Sequence, residues 1–303
     1  MDDEYFIFNK NIGKILEKYR ITPNKELGQC FISNWNLIHK EIEYAQIGKK
    51  DIVLEIGAGI GNLTEILARK AKRIIAVEKD FQFKNILSEL QLRYDNIEII
   101  YGDALEIDFP KFNKIVSNLP YKIALPLIFK ILDQNFDIAV LTCPERLAQR
   151  ICAKPGQKGY SRLSVQIYRL SNPYFLKLIS REEFTPSPDV ISAMIKLEKT
   201  PPKFKIPSEN FFKEFLKFLF SQRDNSIDQV LKTLNSLGVS KNKTNKIKIE
   251  LDKRTYHKKV YKLRAHEFGS LSWYFWKFLG KRVVKVFHRY YKLKKLYNRG
   301  GSR

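Results

Sequence analysis

Ile52-Val53-Leu54-Glu55-Ile56-Gly57-Ala58-Gly59-Ile60-Gly61-Asn62-Leu63 is the stretch whose reading decides the fold. Its first five residues are aliphatic apart from Glu55 and read as a strand; the run Leu63 to Lys70 has helical character. The glycines between them serve a tight turn, where missing side chains let a ligand approach the backbone. A dinucleotide fingerprint of this kind wants its third glycine at position 62, where Asn62 stands, so the spacing leans away from NAD.

The pattern then repeats. Ile74-Ile75-Ala76-Val77, a helical Phe81 to Tyr94, Ile97-Glu98-Ile99-Ile100 and Ile115-Val116-Ser117 follow in order. Ile138 to Thr142, Phe175 to Ile179 and Ser192 to Leu197 add further strands. Strands separated by helical stretches of this length indicate βαβ units, hence an α/β fold with a mostly parallel, Rossmann-like sheet. Lys199-Thr200-Pro201-Pro202-Lys203 breaks both periods and reads as a linker. The expected division is an N-terminal extension over 1–20, with a short helix around Ile12 to Tyr19, a Rossmann-like domain over 21–199, and a smaller all-helical domain over 200–303.

Charge separates the two large parts. There are 29 basic against 25 acidic residues through Lys199 and 26 against 7 beyond it, so the net charge is +4 and then +19. Such asymmetry suits a polyanionic partner. Phe275, Leu279, Val283, Val286, Tyr290, Leu293 and Tyr297 recur at helical spacing among Lys and Arg, and no acid follows Glu267. One long helix is expected there, packing one face and offering the other to phosphate; an anionic lipid surface is the rival reading. No apolar run approaches the roughly 20 residues of a membrane span, and Met1-Asp2-Asp3-Glu4 carries acid where a secretory signal carries base, so a cytoplasmic protein is expected. Cys30, Cys143 and Cys152 form no C-x-x-C pair and the four histidines form no i, i+4 pair, so no metal is expected.

Two carboxylates stand where a nucleoside would need them. Glu78 closes the second strand, 21 residues after Gly57, in position to accept hydrogen bonds from ribose hydroxyls. Asp103, in Gly102-Asp103-Ala104-Leu105, closes the third unit and can accept from an adenine amino group. Asn118-Leu119-Pro120-Tyr121 follows the next strand and completes an ordered set.

That set resembles the KsgA family of small-subunit rRNA adenine dimethyltransferases, and its archaeal members most. The resemblance runs over roughly residues 22–200: Leu27-Gly28-Gln29-Cys30-Phe31-Ile32, Glu55 to Thr64, Glu78, Gly102-Asp103-Ala104, Asn118 to Tyr121, Tyr160 to Val165, and Phe184-Thr185-Pro186-Ser187-Pro188-Asp189-Val190-Ile191-Ser192-Ala193. It implies S-adenosylmethionine as cofactor, held by Cys30, Ile32, Gly57, Glu78, Asp103 and Asn118. It also implies dimethylation of N6 on two adjacent adenosines near the 3′ end of small-subunit rRNA during ribosome biogenesis. Asn118 and the Leu119 carbonyl would accept the N6 hydrogens, Pro120 would stiffen the loop, and Tyr121 and Phe184 would flank the base.

The expected partners are small-subunit rRNA and a small-subunit assembly intermediate, met by a monomer without metal or stable membrane insertion. The alternatives are a large-subunit rRNA adenine methyltransferase and a non-catalytic RNA-binding assembly factor. Ile32 stands where the family has Leu, and Asp224 and Asp228 stand where it has basic residues.

Overall fold

The computed structural model describes residues 6–7, 11–24 and 26–300, with side chains of the last helix through Lys294. In chain order it contains α1 (Ile12–Lys18), β1 (Phe31–Ile32), α2 (Trp35–Ala45), β2 (Ile52–Ile56), α3 (Asn62–Lys70), β3 (Arg73–Glu78), α4 (Lys84–Arg93), β4 (Ile97–Tyr101), β5 (Lys114–Asn118), α5 (Ala124–Leu132), β6 (Ile138–Pro144), α6 (Glu145–Cys152), α7 (Arg162–Leu170), β7 (Ser171–Ile179), β8 (Phe184–Thr185) and β9 (Ser192–Lys199). Helices α8 (Glu209–Phe220), α9 (Ile227–Ser236), α10 (Lys241–Glu250), α11 (Lys253–His257), α12 (Ala265–Leu279) and α13 (Val283–Gly300) follow.

Seven strands form one sheet in the order β4-β3-β2-β5-β6-β9-β7, parallel except for β9, which runs against both its neighbours. The inner strands are buried on both faces, which explains why β3 reads as the continuous apolar run Ile74 to Val77 rather than an alternating one. From β2 the chain proceeds outward through β3 and β4, then returns to the other side of β2 to lay down β5 and β6. The strand order therefore reverses between β2 and β5, and a crevice outside the carboxyl ends of these strands is where such sheets bind ligands.

The chain divides into two compact units, residues 1–152 with 171–199, and residues 153–170 with 200–303. The sequence reading carried the first domain unbroken through Lys199; instead 153–170, including α7, belongs with the helices. The physical reason is local: within that unit the Tyr160 hydroxyl donates to the Leu263 carbonyl at 3.0 Å and Arg169 pairs with Glu209 at 2.7 Å. Nor is the N-terminal segment wholly separate. Phe6 and Ile7 are buried in the first unit's core, and their N–H groups donate to the Glu65 carboxylate at 2.5 and 2.9 Å. Met1 to Glu4 lie outside the described residues.

The expected single C-terminal helix is two. Gly280 (φ 71°) ends α12, and α13 begins at Val283. Val283 and Phe287 are buried, and Phe287 stacks on Phe218 of α8 with ring centroids 4.3 Å apart. Tyr297 lies outside the described side chains. Among the described residues no helix is long and apolar enough to cross a membrane.

Candidate active site

The carboxyl ends of β2, β3 and β5, with the loop after β4, meet at the switch point. Beyond β2 the chain turns through Gly57 (φ 85°) and Gly59 (φ 55°), in the left-handed region that L side chains rarely adopt. A Cβ on Gly59 would stand 2.7 Å from Phe31 Cε1, so packing as well as dihedral requires glycine there. The Gly57 and Ala58 N–H groups donate to the Val77 carbonyl at 2.8 and 3.2 Å and pin the turn to β3.

Glu78, at the end of β3, is only 6% exposed. Its Oε2 accepts the Gly59 N–H and its Oε1 the Asp80 N–H, both at 2.8 Å. Burial raises its pKa, and the donated backbone N–H groups of Asp80, Gly59 and Lys79 oppose that rise. Each carboxylate oxygen keeps a lone pair for a ligand hydroxyl. Asp103, following β4, accepts from the Leu105 N–H at 2.9 Å and from Lys79 Nζ at 2.7 Å, and the Lys79 bond is the first cause of its lowered pKa.

Asn118 closes β5 with its Oδ1 buried and without a hydrogen-bond partner among the described residues. Such an atom is unfavourable unless a ligand supplies a donor. The next N–H, of Leu119, donates to the Thr142 carbonyl on β6 at 3.0 Å. Pro120 (φ −57°) then opens a short 3₁₀ turn over Tyr121–Ile123. The Tyr121 hydroxyl is hydrogen-bonded to Ser192 Oγ, and burial pushes its pKa upward, so the phenol is neutral. Phe184 is buried on β8, opposite Ile32 of β1.

The segment before β1 closes one side. Asn62 Nδ2 donates to the Ile32 carbonyl at 2.7 Å, and Gln29 Nε2 to Asp80 Oδ2 at 2.8 Å. Cys30 is half-buried, and burial, followed by the Asp189 charge, pushes its thiol pKa up, so it is no thiolate nucleophile. Cys30, Ile32, Gly57, Glu78, Asp103, Asn118, Leu119, Pro120, Tyr121 and Phe184 all line a single pocket. Among the described residues no group of three or more His, Cys, Asp or Glu could hold a metal ion.

Three neighbours of the site escaped the sequence reading. Lys79 meets Asp103 because β3 and β4 lie side by side, and Ser192 meets Tyr121 across 71 residues, so neither has a local signal. Glu41 did have one. It falls on the apolar face of α2 with Leu37, Ile38, Ile42 and Ala45, all buried, and an acid at such a position asks for an explanation.

A family model described as ribosomal RNA adenine dimethylase matches residues 20–269. The chain belongs to that family. A probable ribosomal RNA small subunit methyltransferase A of Methanococcus maripaludis is 40% identical over 254 residues, covering 82% of this chain and 96% of the relative. The crystal structure of a dimethyladenosine transferase from Plasmodium falciparum superposes with a TM-score of 0.69 at 28% identity, over 82% of this dimethylase-family chain and 98% of the other. The 23S rRNA methyltransferase ErmE gives 0.60 at 23% identity over 79% and 99%, which speaks for the shared Rossmann-like fold alone. Helix α13 lies wholly beyond the matched region.

Proposed function

We propose that the protein transfers methyl groups from S-adenosylmethionine to the N6 amine of adenine in small-subunit rRNA, giving dimethyladenosine at two adjacent positions. The observation that carries this reading is the buried, unpartnered Oδ1 of Asn118, a residue that lines the switch-point crevice together with Leu119, Pro120 and Tyr121. The donor set fits the cofactor. Glu26, Glu78 and Asp103 line the pocket with Lys122 and Lys79, and Lys79 is already paired with Asp103. Carboxylates of this number suit a cationic, hydroxyl-rich nucleoside and disfavour the diphosphate of a dinucleotide.

Glu78 would hold the ribose, Asp103 the adenine amino group, and Gly57 would admit the methionine part against bare backbone. Cys30 and Ile32 would cover the ligand from the segment before β1. When bound, S-adenosylmethionine supplies an electrophilic methyl on its sulfonium. The residues of this chain supply position and electrostatics. Adenine N6 is a poor nucleophile because its lone pair is delocalised into the ring. Donation of its two hydrogens to Asn118 Oδ1 and the Leu119 carbonyl favours a more tetrahedral nitrogen with its lone pair localised. Pro120 restricts the loop through its fixed φ. Tyr121, anchored through Ser192, and Phe184 would bracket a base extruded from its stack. The alkylated nitrogen can lose its proton to water, so no side-chain base of matched pKa is needed.

The helical unit would bring the rRNA. Lys281, Arg282, Lys285, Arg289 and Lys292 are exposed at the start and along the outer face of α13, and none has an ion-pair partner among the described residues. The apolar face of that helix meets α8 through Phe287 and Tyr290, both against Phe218, which favours phosphate over lipid, since a membrane-surface helix needs its apolar face free. Asp228 is occupied too, by Lys232 at 2.7 Å and by the Tyr256 hydroxyl. Purified protein should rise in Tm with S-adenosylmethionine and transfer labelled methyl to small-subunit rRNA in preference to large-subunit rRNA. Binding of RNA without transfer would instead support the assembly-factor alternative.

A further inference from the structure

Beneath the acceptor loop sits a carboxyl group that the reaction above does not use. Glu41 is 1% exposed on the inner face of α2. Its Oε1 accepts the Thr142 hydroxyl at 2.7 Å. Thr142 is the register partner of Asn118 across β5 and β6, and its carbonyl takes the Leu119 N–H at 3.0 Å. One threonine thus connects Glu41 to both residues of the acceptor pair. Glu41 Oε2 makes no hydrogen bond of ordinary geometry among the described residues, and the Asn118 side chain is, after Thr142, the group that steadies its charge.

We infer that Glu41 is a positioning residue for methyl transfer: seated on Thr142 behind β5, its carboxylate draws the Asn118 amide nitrogen inward and so turns Asn118 Oδ1 toward the pocket. The inference rests on the acceptor role given to Asn118 above. An asparagine amide has two faces of opposite polarity and similar shape, so something must choose between them. A carboxylate accepts only, which selects the NH₂ group for its own side and leaves the oxygen for the substrate. A protonated carboxyl offers an O–H that can satisfy Oδ1 itself, and the choice is lost.

That difference makes the device sensitive to pH. Burial pushes the Glu41 pKa to about 7, with Thr142 and Asn118 drawing it back. The ionisable groups that feel its charge are Glu55 on β2, held well above the ordinary carboxyl range by burial, and Tyr121, neutral for the same reason. Lys114 on β5 directs its ammonium to the Ala45 carbonyl at the far end of α2, at 3.0 Å. On α2 itself Lys40 and Glu43 are exposed, and His39 packs edge-on against Trp35. Glu41 is therefore the group near Asn118 that changes charge around neutrality, and the form with the amide nitrogen inward and Oδ1 toward the pocket is the one above about pH 7.

The test compares Glu41→Gln, Glu41→Ala and Thr142→Val with the full-length protein in single-turnover transfer to small-subunit rRNA at saturating S-adenosylmethionine, from about pH 5.5 to about pH 9. The wild-type rate should rise through about pH 7. Glu41→Gln should lower the rate at alkaline pH by about 10-fold to 100-fold and flatten the profile, a loss in the range of slight misplacement of a reacting group. Affinity for S-adenosylmethionine should stay within about twofold, because Glu41 lies behind the loop and not in the pocket. Without ligand, the Asn118 side-chain amide resonances should titrate near neutrality in the wild type and stay fixed in Glu41→Gln. Glu41 variants that keep both the rate and the inflection, or amide resonances that do not titrate, would overturn the proposal. If Asn118→Ala also keeps the wild-type rate, the acceptor-loop reading falls with it; if only Asn118→Ala is inactive, that reading stands and the role of Glu41 alone is lost.

Discussion

Replacing Glu78 with alanine should damage both the free protein and its complex with cofactor, by separable amounts. A surface carboxylate at a strand end would be expendable for folding, but Glu78 is buried and each of its oxygens accepts a backbone N–H at 2.8 Å, from Gly59 and from Asp80. Truncation leaves both donors without their partner, at about 1–3 kcal/mol each, and water entering from the pocket keeps the total near the lower end, about 2–3 kcal/mol. The same truncation removes the expected ribose acceptors, another 1–3 kcal/mol or about fivefold to 150-fold in affinity. Hydrogen exchange of the Gly59 and Asp80 amides and calorimetric titration with S-adenosylmethionine report the two losses independently. Glu78→Gln, which keeps one acceptor oxygen, should fall between alanine and wild type in both. Unchanged exchange at Gly59 would refute the structural role, and unchanged affinity would refute the ribose assignment.

Glu41→Gln should stabilise the protein at alkaline pH and not at acidic pH. A buried carboxyl raised from 4.5 to about 7 leaves stability intact below its unfolded value and erodes it as pH climbs through the folded one, by about 3 kcal/mol in full. Parallel melting profiles of variant and wild type across this interval would contradict the assignment. Neutralising Lys285, Arg289 and Lys292 to glutamine should flatten the log–log salt dependence of rRNA binding by about 2–3 units while sparing cofactor affinity. Substitution is the proper perturbation, because deleting α13 would also strip Phe287 from the core of its unit. An unchanged slope, with loss of binding to anionic vesicles, would favour the lipid reading.

The sheet was legible because parallel strands buried on two faces write themselves as apolar runs, and the run from Ile52 to Leu63 carries strand, turn and helix together. The pocket was legible for the same topological reason: Gly57, Glu78, Asp103 and Asn118 each terminate or follow a strand, and strand ends converge. Contacts made across the chain were not. Glu65 receiving the Phe6 and Ile7 N–H groups, Lys79 reaching Asp103 and Ser192 reaching Tyr121 have no periodic trace. The break at Gly280 was hidden because apolar spacing continues through it, although a glycine with positive φ is a common helix end. The placement of 153–170 with the helical unit follows from long-range contacts that no composition shift announces.

The most direct test of the account is the nucleoside product. Small-subunit rRNA incubated with the protein and S-adenosylmethionine, digested and analysed by mass spectrometry, should yield N6,N6-dimethyladenosine from two adjacent positions, and the Asn118→Ala protein should leave those adenosines unmodified while still binding the RNA. Methylation at another atom, no methylation by the wild type, or undiminished dimethylation by Asn118→Ala would contradict it.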